Sequence, residues 1–289
     1  MRRTVDLASG PLAVLDTAER VGASIGLDDE LTPQPIVLLV PGYTGSKEDF
    51  LPLLRPFRDH DYRAVAIDQR GQYESGWAAD PAGYRIDALA ADLVELAATL
   101  STQSPAASRS VHLVGHSFGG LVGRAAAIAK PGLFASFTLL SSGPGVIGGR
   151  RRRTLDSGEP VLARDGMAGL WEHMASVSRA DPTFVDLPVD VARFLQRRFL
   201  ANDPVGLQVM GEELRTERDR TDELRRTGLP LLVLHGVDDD AWPPAVQAEM
   251  ATRLGARYVV VPAAAHSPAV ENPAATMAAL ANFLNAVQA

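Results

Sequence analysis

The sequence predicts an α/β protein whose central sheet is mostly parallel and is flanked by helices. The first observation is a set of short aliphatic runs that end in glycine-rich or polar turns, at residues 36–40, 64–67, 111–114, 137–140, 231–234 and 258–261. These runs show little polar alternation, as is typical of strands buried on both faces of a parallel sheet. The second observation is that apolar residues recur at helical spacing between the runs, at residues 86–100, 121–129 and 274–287. Strands that alternate with helices in this way form parallel sheets.

One segment departs from this alternation. Between residues 144 and 228 the sequence turns helical and rich in arginine, with apolar stripes at residues 166–177 and 189–200. Arginines and acidic residues balance in this segment, so the arginines at residues 150–153 are interpreted as a solvated helix entry or turn and not as an anion site. A helical segment inserted between two sheet strands indicates a lid over the carboxyl edge of the sheet.

The chain is therefore expected to divide into two parts. Residues 1–143 and 229–289 form the α/β core domain, and residues 144–228 form the inserted helical lid, or cap. The core is expected to open with a hairpin of residues 4–7 and 12–16 around the Gly10-Pro11 turn. Such a lid would set the specificity of a site at the sheet edge.

The composition excludes several classes of function. The chain has 289 residues, of which 46% are hydrophobic and 22% charged, as is ordinary for a globular protein. Its net charge of -7 disfavours nucleic-acid binding, and the absence of cysteine removes disulfides, thiolate metal sites and cysteine nucleophiles. No secretory signal follows the N-terminus, and no apolar run approaches the roughly 20 residues that span a bilayer. We therefore expect a cytoplasmic protein with no membrane partner.

The residues Gly115-His116-Ser117-Phe118-Gly119 fit the pattern G-x-S-x-G directly after a predicted strand and before a predicted helix. That context is the one the motif requires, because the glycines let strand and helix approach closely around a tight turn. The turn exposes the serine hydroxyl at the sheet edge and strains its backbone. Ser117 is thus predicted to be a nucleophile, and the amide of Phe118, at a helix N-terminus, is predicted to stabilise an oxyanion.

With these residues the chain resembles the α/β-hydrolase superfamily, in its serine-nucleophile, esterase-like branch with a helical lid. The resemblance runs from about residue 11 to the C-terminus outside the lid. It implies the α/β-hydrolase fold, the chain order nucleophile, acid, histidine, and chemistry without a metal or an organic cofactor.

The acid is assigned from this resemblance. In similar chains it falls three residues after a glycine that ends a strand, with a proline four residues further on. Counted from Gly236, these positions are Asp239 and Pro243. Because three aspartates are consecutive, Asp238 and Asp240 remain alternatives to Asp239.

The base is predicted to be His266. It stands on a loop of small residues just after the last predicted strand, which is where a histidine must lie to reach the serine. It is 27 residues beyond Asp239, which leaves room for one helix and one strand between them. The other histidines of the chain are interpreted as structural.

The second oxyanion donor is expected to be the amide of Tyr43. The family has His-Gly after the corresponding strand, whereas this chain has Pro41-Gly42 followed by Tyr43. The substitution leaves the backbone amide that the chemistry needs in place. A later loop resembles another family motif, in which Asp68 and Arg70 are interpreted as a structural ion pair and not as catalytic residues.

These residues together predict a Ser-His-Asp hydrolase that forms an acyl-enzyme from an ester, lactone or thioester. An aromatic-rich pocket is expected around the nucleophile, which favours a small apolar or aromatic substrate; its candidate residues are Tyr43, Trp171, Phe194 and Trp242. The same triad also serves hydrolases of carbon–carbon bonds in β-diketones and cofactor-free perhydrolases, because the fold does not choose among them. An alternative from a different class is a ligand-sensing protein that retains a hydrolase pocket without turnover.

Overall fold

The structure, a computed structural model, describes residues 1–18, 34–102, 111–180 and 186–288. Within these ranges, eight strands form one sheet in the order β1-β2-β4-β3-β5-β6-β7-β8. Their bounds are β1 Arg2–Leu7, β2 Gly10–Asp16, β3 Ile36–Val40, β4 Arg63–Ile67, β5 Val111–His116, β6 Phe134–Leu140, β7 Leu231–Gly236 and β8 Arg257–Val261. At one edge of the sheet β2 pairs antiparallel with both β1 and β4, and all the other pairs of neighbouring strands are parallel. This arrangement confirms the predicted fold class.

The helices cover both faces of the sheet, as predicted. Those of the sheet-forming part are α1 Leu51–Asp59, α2 Ile86–Thr102, α3 Phe118–Ala129, α8 Pro244–Leu254, α9 Pro268–Glu271 and α10 Pro273–Gln288. The sequence did not predict α1, which has a proline in its first turn and Pro56 within it. The structure also places α8 between β7 and β8, where no apolar stripe had been identified. No described helix is long and apolar enough to cross a lipid bilayer.

Strand β3 shows why the aliphatic runs form the centre of the sheet. All of its residues are fully buried. Ile36, Leu38 and Val40 pack into the hydrophobic cluster that contains α2 and α3, whereas Val37 and Leu39 pack into the cluster that contains α1 and α10. Because alternate side chains of a strand point to opposite faces, such a strand needs apolar residues throughout.

Among the described residues between β6 and β7 there are four helices, namely α4 Gly149–Arg179, α5 Val189–Leu200, α6 Pro204–Thr216 and α7 Thr221–Arg225. The predicted helix at residues 166–177 is only the second half of α4. Gly166 adopts a φ of 67° and kinks the longer helix there. A small cluster of Leu170, Phe199 and Leu207 holds α4, α5 and α6 together. Residues 181–185 of the predicted lid segment lie outside the described residues.

Candidate active site

Ser117 stands at a sharp turn between β5 and α3. Its backbone has φ 54° and ψ -120°, which is strained for a residue with a side chain. The flanking glycines are required by space: a Cβ on Gly115 would lie 2.4 Å from the carbonyl oxygen of Gly119, and one on Gly119 would lie 2.5 Å from that of Pro41. The strand, the turn and the helix can therefore approach only with glycine at these two positions.

Ser117, His266 and Asp239 are joined by hydrogen bonds at the carboxyl edge of the sheet. Ser117 Oγ lies 2.9 Å from His266 Nε2, and His266 Nδ1 lies 2.9 Å from Asp239 Oδ1. The three residues are buried. Of the three consecutive aspartates, Asp238 is exposed and Asp240 lies between two arginines, so Asp239 is the one whose carboxylate meets the histidine.

The loop after β3 lies against the serine. A Cβ on Gly42 would stand only 3.1 Å from Ser117 Cβ, so this glycine allows the close approach. The amides of Tyr43 and Phe118 flank the serine along the two loops, and among the residues that the structure describes neither has a hydrogen-bond acceptor. Two free N–H groups beside a nucleophile are what an oxyanion hole requires.

Two glutamines that the sequence analysis missed hold this loop. Gln69 Nε2 donates to the Pro41 carbonyl at 2.9 Å. Gln72 Nε2 donates to the carbonyls of Gly42 and Tyr43 at 2.8 and 3.0 Å. Their only sequence signal is their place in the loop that contains Asp68 and Arg70.

A cavity of about 500 Å³ opens above Ser117 and His266, between the loop after β3 and helices α4 to α6. Its volume is within the usual range for sites that bind small molecules. Most of its apolar wall is aliphatic and is supplied by Ile147, Leu155, Leu162, Leu170, Met174, Val177, Leu207 and Leu214. Arg150, Arg151 and Asp240 are among the charged residues that line it.

Comparisons with known proteins agree with this geometry. Residues 37–280, most of the chain, match the alpha/beta hydrolase family. The chain belongs to that family. The matched range includes Ser117, Asp239 and His266.

Several relatives of this alpha/beta hydrolase carry the name of a carbamate hydrolase, and others are named as haloperoxidases. The "Putative carbamate hydrolase RutD" of Pantoea ananatis is 29% identical over 75% of this chain and 76% of its own. The protein of that name from Stutzerimonas stutzeri is 37% identical, but the match covers only 37% of this chain and 38% of the relative. A thermophilic esterase from Thermogutta terrifontis has the same fold over the full length of both chains, with a TM-score of 0.75 and 23% identity. Family membership and the carbamate hydrolase relatives indicate that the chain is a hydrolase, whereas the esterase structure shows the shared fold.

The electrostatics of the hydrolase site suit a neutral base and an ionised acid. Burial would raise the pKa of Asp239, but hydrogen bonds from His266, the Ala241 amide and Gln247 lower it to about 2. Burial lowers the pKa of His266, and the positive charge of Arg151 lowers it further against the opposing carboxylates. At neutral pH His266 is therefore neutral and able to accept a proton from Ser117.

The predicted ion pair between Asp68 and Arg70 is wrong. Asp68 instead accepts from Lys47 Nζ at 2.6 Å, and Arg70 Nε donates to Asp92 at 3.0 Å. Asp68 and Arg70 do not pair with each other but have different partners. The chain turns sharply after β4, where the Gln72 amide donates to the Gln69 carbonyl. Both pairs lie outside the cavity, and neither contacts the serine.

Of the four aromatic residues predicted for the pocket, Tyr43 is among the residues that line the cavity, and Trp171, Phe194 and Trp242 are not. Tyr43 lines the cavity, and its hydroxyl donates to the Leu207 carbonyl at 2.7 Å. Trp242 is buried instead, with its indole N–H on the carbonyls of Gly145 and Val146. The two remaining predicted side chains pack within the insertion or against a neighbouring loop, Trp171 on Phe199 and Phe194 on Tyr73. A helical stripe shows that a side chain is buried but not which neighbour buries it.

Asp239, Asp240 and His266 each bring a possible metal ligand within 4.8 Å of the others. Their partners make this a poor cation site. His266 and Asp239 already bind each other, and Arg150 and Arg151 both donate to the carboxylate of Asp240. A cation would have to displace these guanidinium groups, so the residues do not fit a metal.

Proposed function

We propose that this protein hydrolyses a carboxylic ester or a related carbonyl compound, such as a lactone or thioester, through an acyl-enzyme on Ser117. The observation that carries the proposal is the continuous hydrogen-bonded chain from Ser117 Oγ through His266 to Asp239, in which Ser117 and His266 line the cavity. Family membership and the hydrolase names of the relatives support it.

In the first half of the reaction, neutral His266 takes the proton of Ser117 Oγ as that oxygen attacks the carbonyl carbon. Asp239 fixes the tautomer of the imidazole and stabilises its charged form. His266 then gives the proton to the leaving oxygen, the carbon–oxygen bond breaks, and the acyl group stays on Ser117. In the second half, His266 deprotonates a water that attacks the acyl carbon, and the proton passes to Ser117 Oγ as the acid leaves.

The negative oxygen of the tetrahedral intermediate would be held by the amides of Tyr43 and Phe118. Each such donor contributes about 3 kcal/mol to the stabilisation of a transition state in serine hydrolases. The close approach of Gly42 to Ser117 supports this arrangement, since the loop that carries the Tyr43 amide lies against the turn that carries the Phe118 amide.

The walls of the cavity favour a substrate with an aliphatic acyl or alcohol group. Aromatic contact is limited to Tyr43 among the lining residues described, whereas eight lining residues are aliphatic or methionine, Ile147, Leu155, Leu162, Leu170, Met174, Val177, Leu207 and Leu214. Helices α4 to α6 supply most of this wall, which supports a lid role for residues 144–228. We therefore infer an aliphatic ester-like substrate and not an aromatic one.

The test is the turnover of nitrophenyl esters by purified protein and by Ser117→Ala. We expect the variant to lose at least about 10⁴-fold in kcat, since removal of the nucleophile abolishes the covalent route. Ser178→Ala, which alters a second serine of the cavity wall, is the matched control and should retain turnover. Undiminished turnover by Ser117→Ala would contradict the proposal, and binding without turnover by the unaltered protein would favour ligand sensing.

A further inference from the structure

Gln247 is a polar residue that the proposed reaction does not use. It stands in the first turn of α8 and its side chain is completely buried. Burial removes a glutamine from water and freezes a flexible side chain, so it disfavours folding unless the amide finds partners. The position of this side chain therefore depends on what its amide contacts.

The amide group of Gln247 contacts the acid of the triad. Its Nε2 donates to Asp239 Oδ2 at 3.0 Å and to the Trp242 carbonyl at 2.8 Å. Its Oε1 is buried and has no partner among the described residues. A flipped amide would put Oε1 against two acceptors, so the contacts fix the orientation. The side chain thus leaves its own oxygen unpaired while both N–H groups are engaged.

This contact completes the hydrogen bonding of Asp239. Its Oδ1 accepts from His266 Nδ1 and from the Ala241 amide, each at 2.9 Å, and its Oδ2 accepts from Gln247. Donors on both oxygens prevent the carboxylate from rotating. Without Gln247, Oδ2 would lie buried and unpaired, and the carboxylate would be free to turn away from the histidine.

We propose that Gln247 is a positioning residue that holds the Asp239 carboxylate in the orientation that directs Oδ1 at His266. The inference rests on the proposed function, because it assigns Gln247 a part in the same reaction. It parallels the support that residues behind the ligands give to metal sites, where loss of such a residue typically costs 10- to 100-fold.

The test introduces Gln247→Met into the wild-type protein and into the Asp239→Ala variant, and compares each product with its own parent. In the wild-type background we expect kcat to fall about 10-fold with KM changed less than about 2-fold, as befits the loss of one hydrogen bond to a charged group. In the Asp239→Ala background the same substitution should change kcat less than about 2-fold, because a residue that acts through Asp239 has nothing left to orient. Met250→Leu, a buried substitution one turn further along α8, should leave kcat unchanged.

A second readout does not depend on turnover. The proton between His266 Nδ1 and Asp239 gives a downfield NMR resonance, which Gln247→Met should shift and Met250→Leu should not. An unshifted resonance, an undiminished kcat, or an equal fold-loss in both backgrounds would overturn the assignment. Failure of the proposed function can be distinguished from failure of this assignment. In that case Ser117→Ala would retain turnover, while Gln247→Met would still shift the resonance.

Discussion

At the scale of single residues, the charge beside His266 depends on a contact across the insertion. Arg151, from the first turn of α4, donates to Asp240 Oδ1 at 2.6 Å, and Asp240 is the neighbour of the triad acid. The arginine lowers the pKa of His266, whereas Asp240 raises it. The insertion therefore lowers the pKa of His266 through Arg151 and also supplies a wall of the cavity.

The pH dependence of kcat/KM tests this influence. If His266 is the base, as proposed, we expect turnover to be lost at low pH as His266 becomes protonated, so that the acidic limb reports the pKa of His266 in the free enzyme. Arg151→Gln removes a positive charge and leaves Asp240 less neutralised, and both changes raise that pKa. We expect the limb to move to higher pH by about half a unit. Arg153→Gln, an exposed neighbour on α4, is the control, and a limb that stayed in place or moved down would contradict the assignment.

A second residue-scale feature is the buried pair of Lys47 and Asp68. Both side chains are fully buried, and the Lys47 amide also donates to the carboxylate at 2.8 Å. Removal of one partner from a buried pair leaves an uncompensated charge. The pair fixes Lys47, which follows the loop after β3, to the residue that follows β4.

Lys47→Met is therefore expected to lower the free energy of unfolding by about 3–5 kcal/mol. Urea unfolding of the variant measures this loss. Lys130→Met, at an exposed position after α3, should change stability by less than about 0.5 kcal/mol. Addition of Asp68→Asn to Lys47→Met should restore part of the loss, and a Lys47→Met protein as stable as the control would show that the pair contributes little.

At the scale of elements, the approach of β3, β5 and α3 is limited by glycine. The ends of β3 and of the turn after β5 meet at Gly119, where a Cβ would also lie 2.5 Å from the Val40 carbonyl oxygen. Both obstructing atoms belong to the backbone and not to a flexible side chain. An added methyl group would push α3 away from the sheet, and the amide of Phe118 would move with it.

Gly119→Ala should therefore destabilise the fold by about 3 kcal/mol, the upper end of what overpacking usually costs. Thermal melting of the purified variant measures the effect. Gly132→Ala provides a matched control, because no atom lies within 4 Å of its added Cβ. Equal melting temperatures for the two variants would refute the view that space, rather than backbone conformation, requires glycine at residue 119.

At the scale of the whole molecule, the cavity exists because the insertion closes over the sheet edge. Contacts between the two parts anchor it: Arg198 pairs with Asp49, Tyr43 binds the Leu207 carbonyl, and Arg150 binds Asp240. The space they enclose is lined by aliphatic side chains of α4 and α6 on one side and by the loop after β3 on the other. We therefore expect the insertion to select the chain length and the polarity of the substrate.

Leu162→Asp tests whether the aliphatic wall of the insertion contacts the acyl chain of the substrate. A carboxylate in the aliphatic wall should lower kcat/KM for a hexanoyl ester at least 10-fold, because each methylene contributes about 0.8 kcal/mol when it is buried in an apolar site. The acetyl ester should be affected less than about 2-fold, since it does not reach that wall. Ala163→Asp places the same charge on the exposed side of α4 and should leave both esters unaffected. Equal losses for the two esters would mean that the wall does not contact the acyl chain.

The sequence by itself determined the fold class and the strands. It also placed Ser117, Tyr43, Phe118 and His266 in the turns that follow strands. These features are local, because a strand buried on both faces must be aliphatic throughout and a serine elbow must have glycine on either side. Such requirements involve only a few consecutive residues, so they can be recognised in the sequence without knowledge of the residues that fold against them. Each motif follows the carboxyl end of a strand, and in a parallel sheet these ends lie at the same edge.

Only the tertiary structure decided which of the three aspartates meets His266, where Trp171, Phe194 and Trp242 pack, and that Asp68 binds Lys47. It also revealed Gln247, whose side chain looks like any helical glutamine until its contact with Asp239 is seen. The physical reason is that each of these outcomes depends on a partner brought close by folding. Neighbouring aspartates are alike in sequence, and only burial and the position of the guanidinium groups separate them.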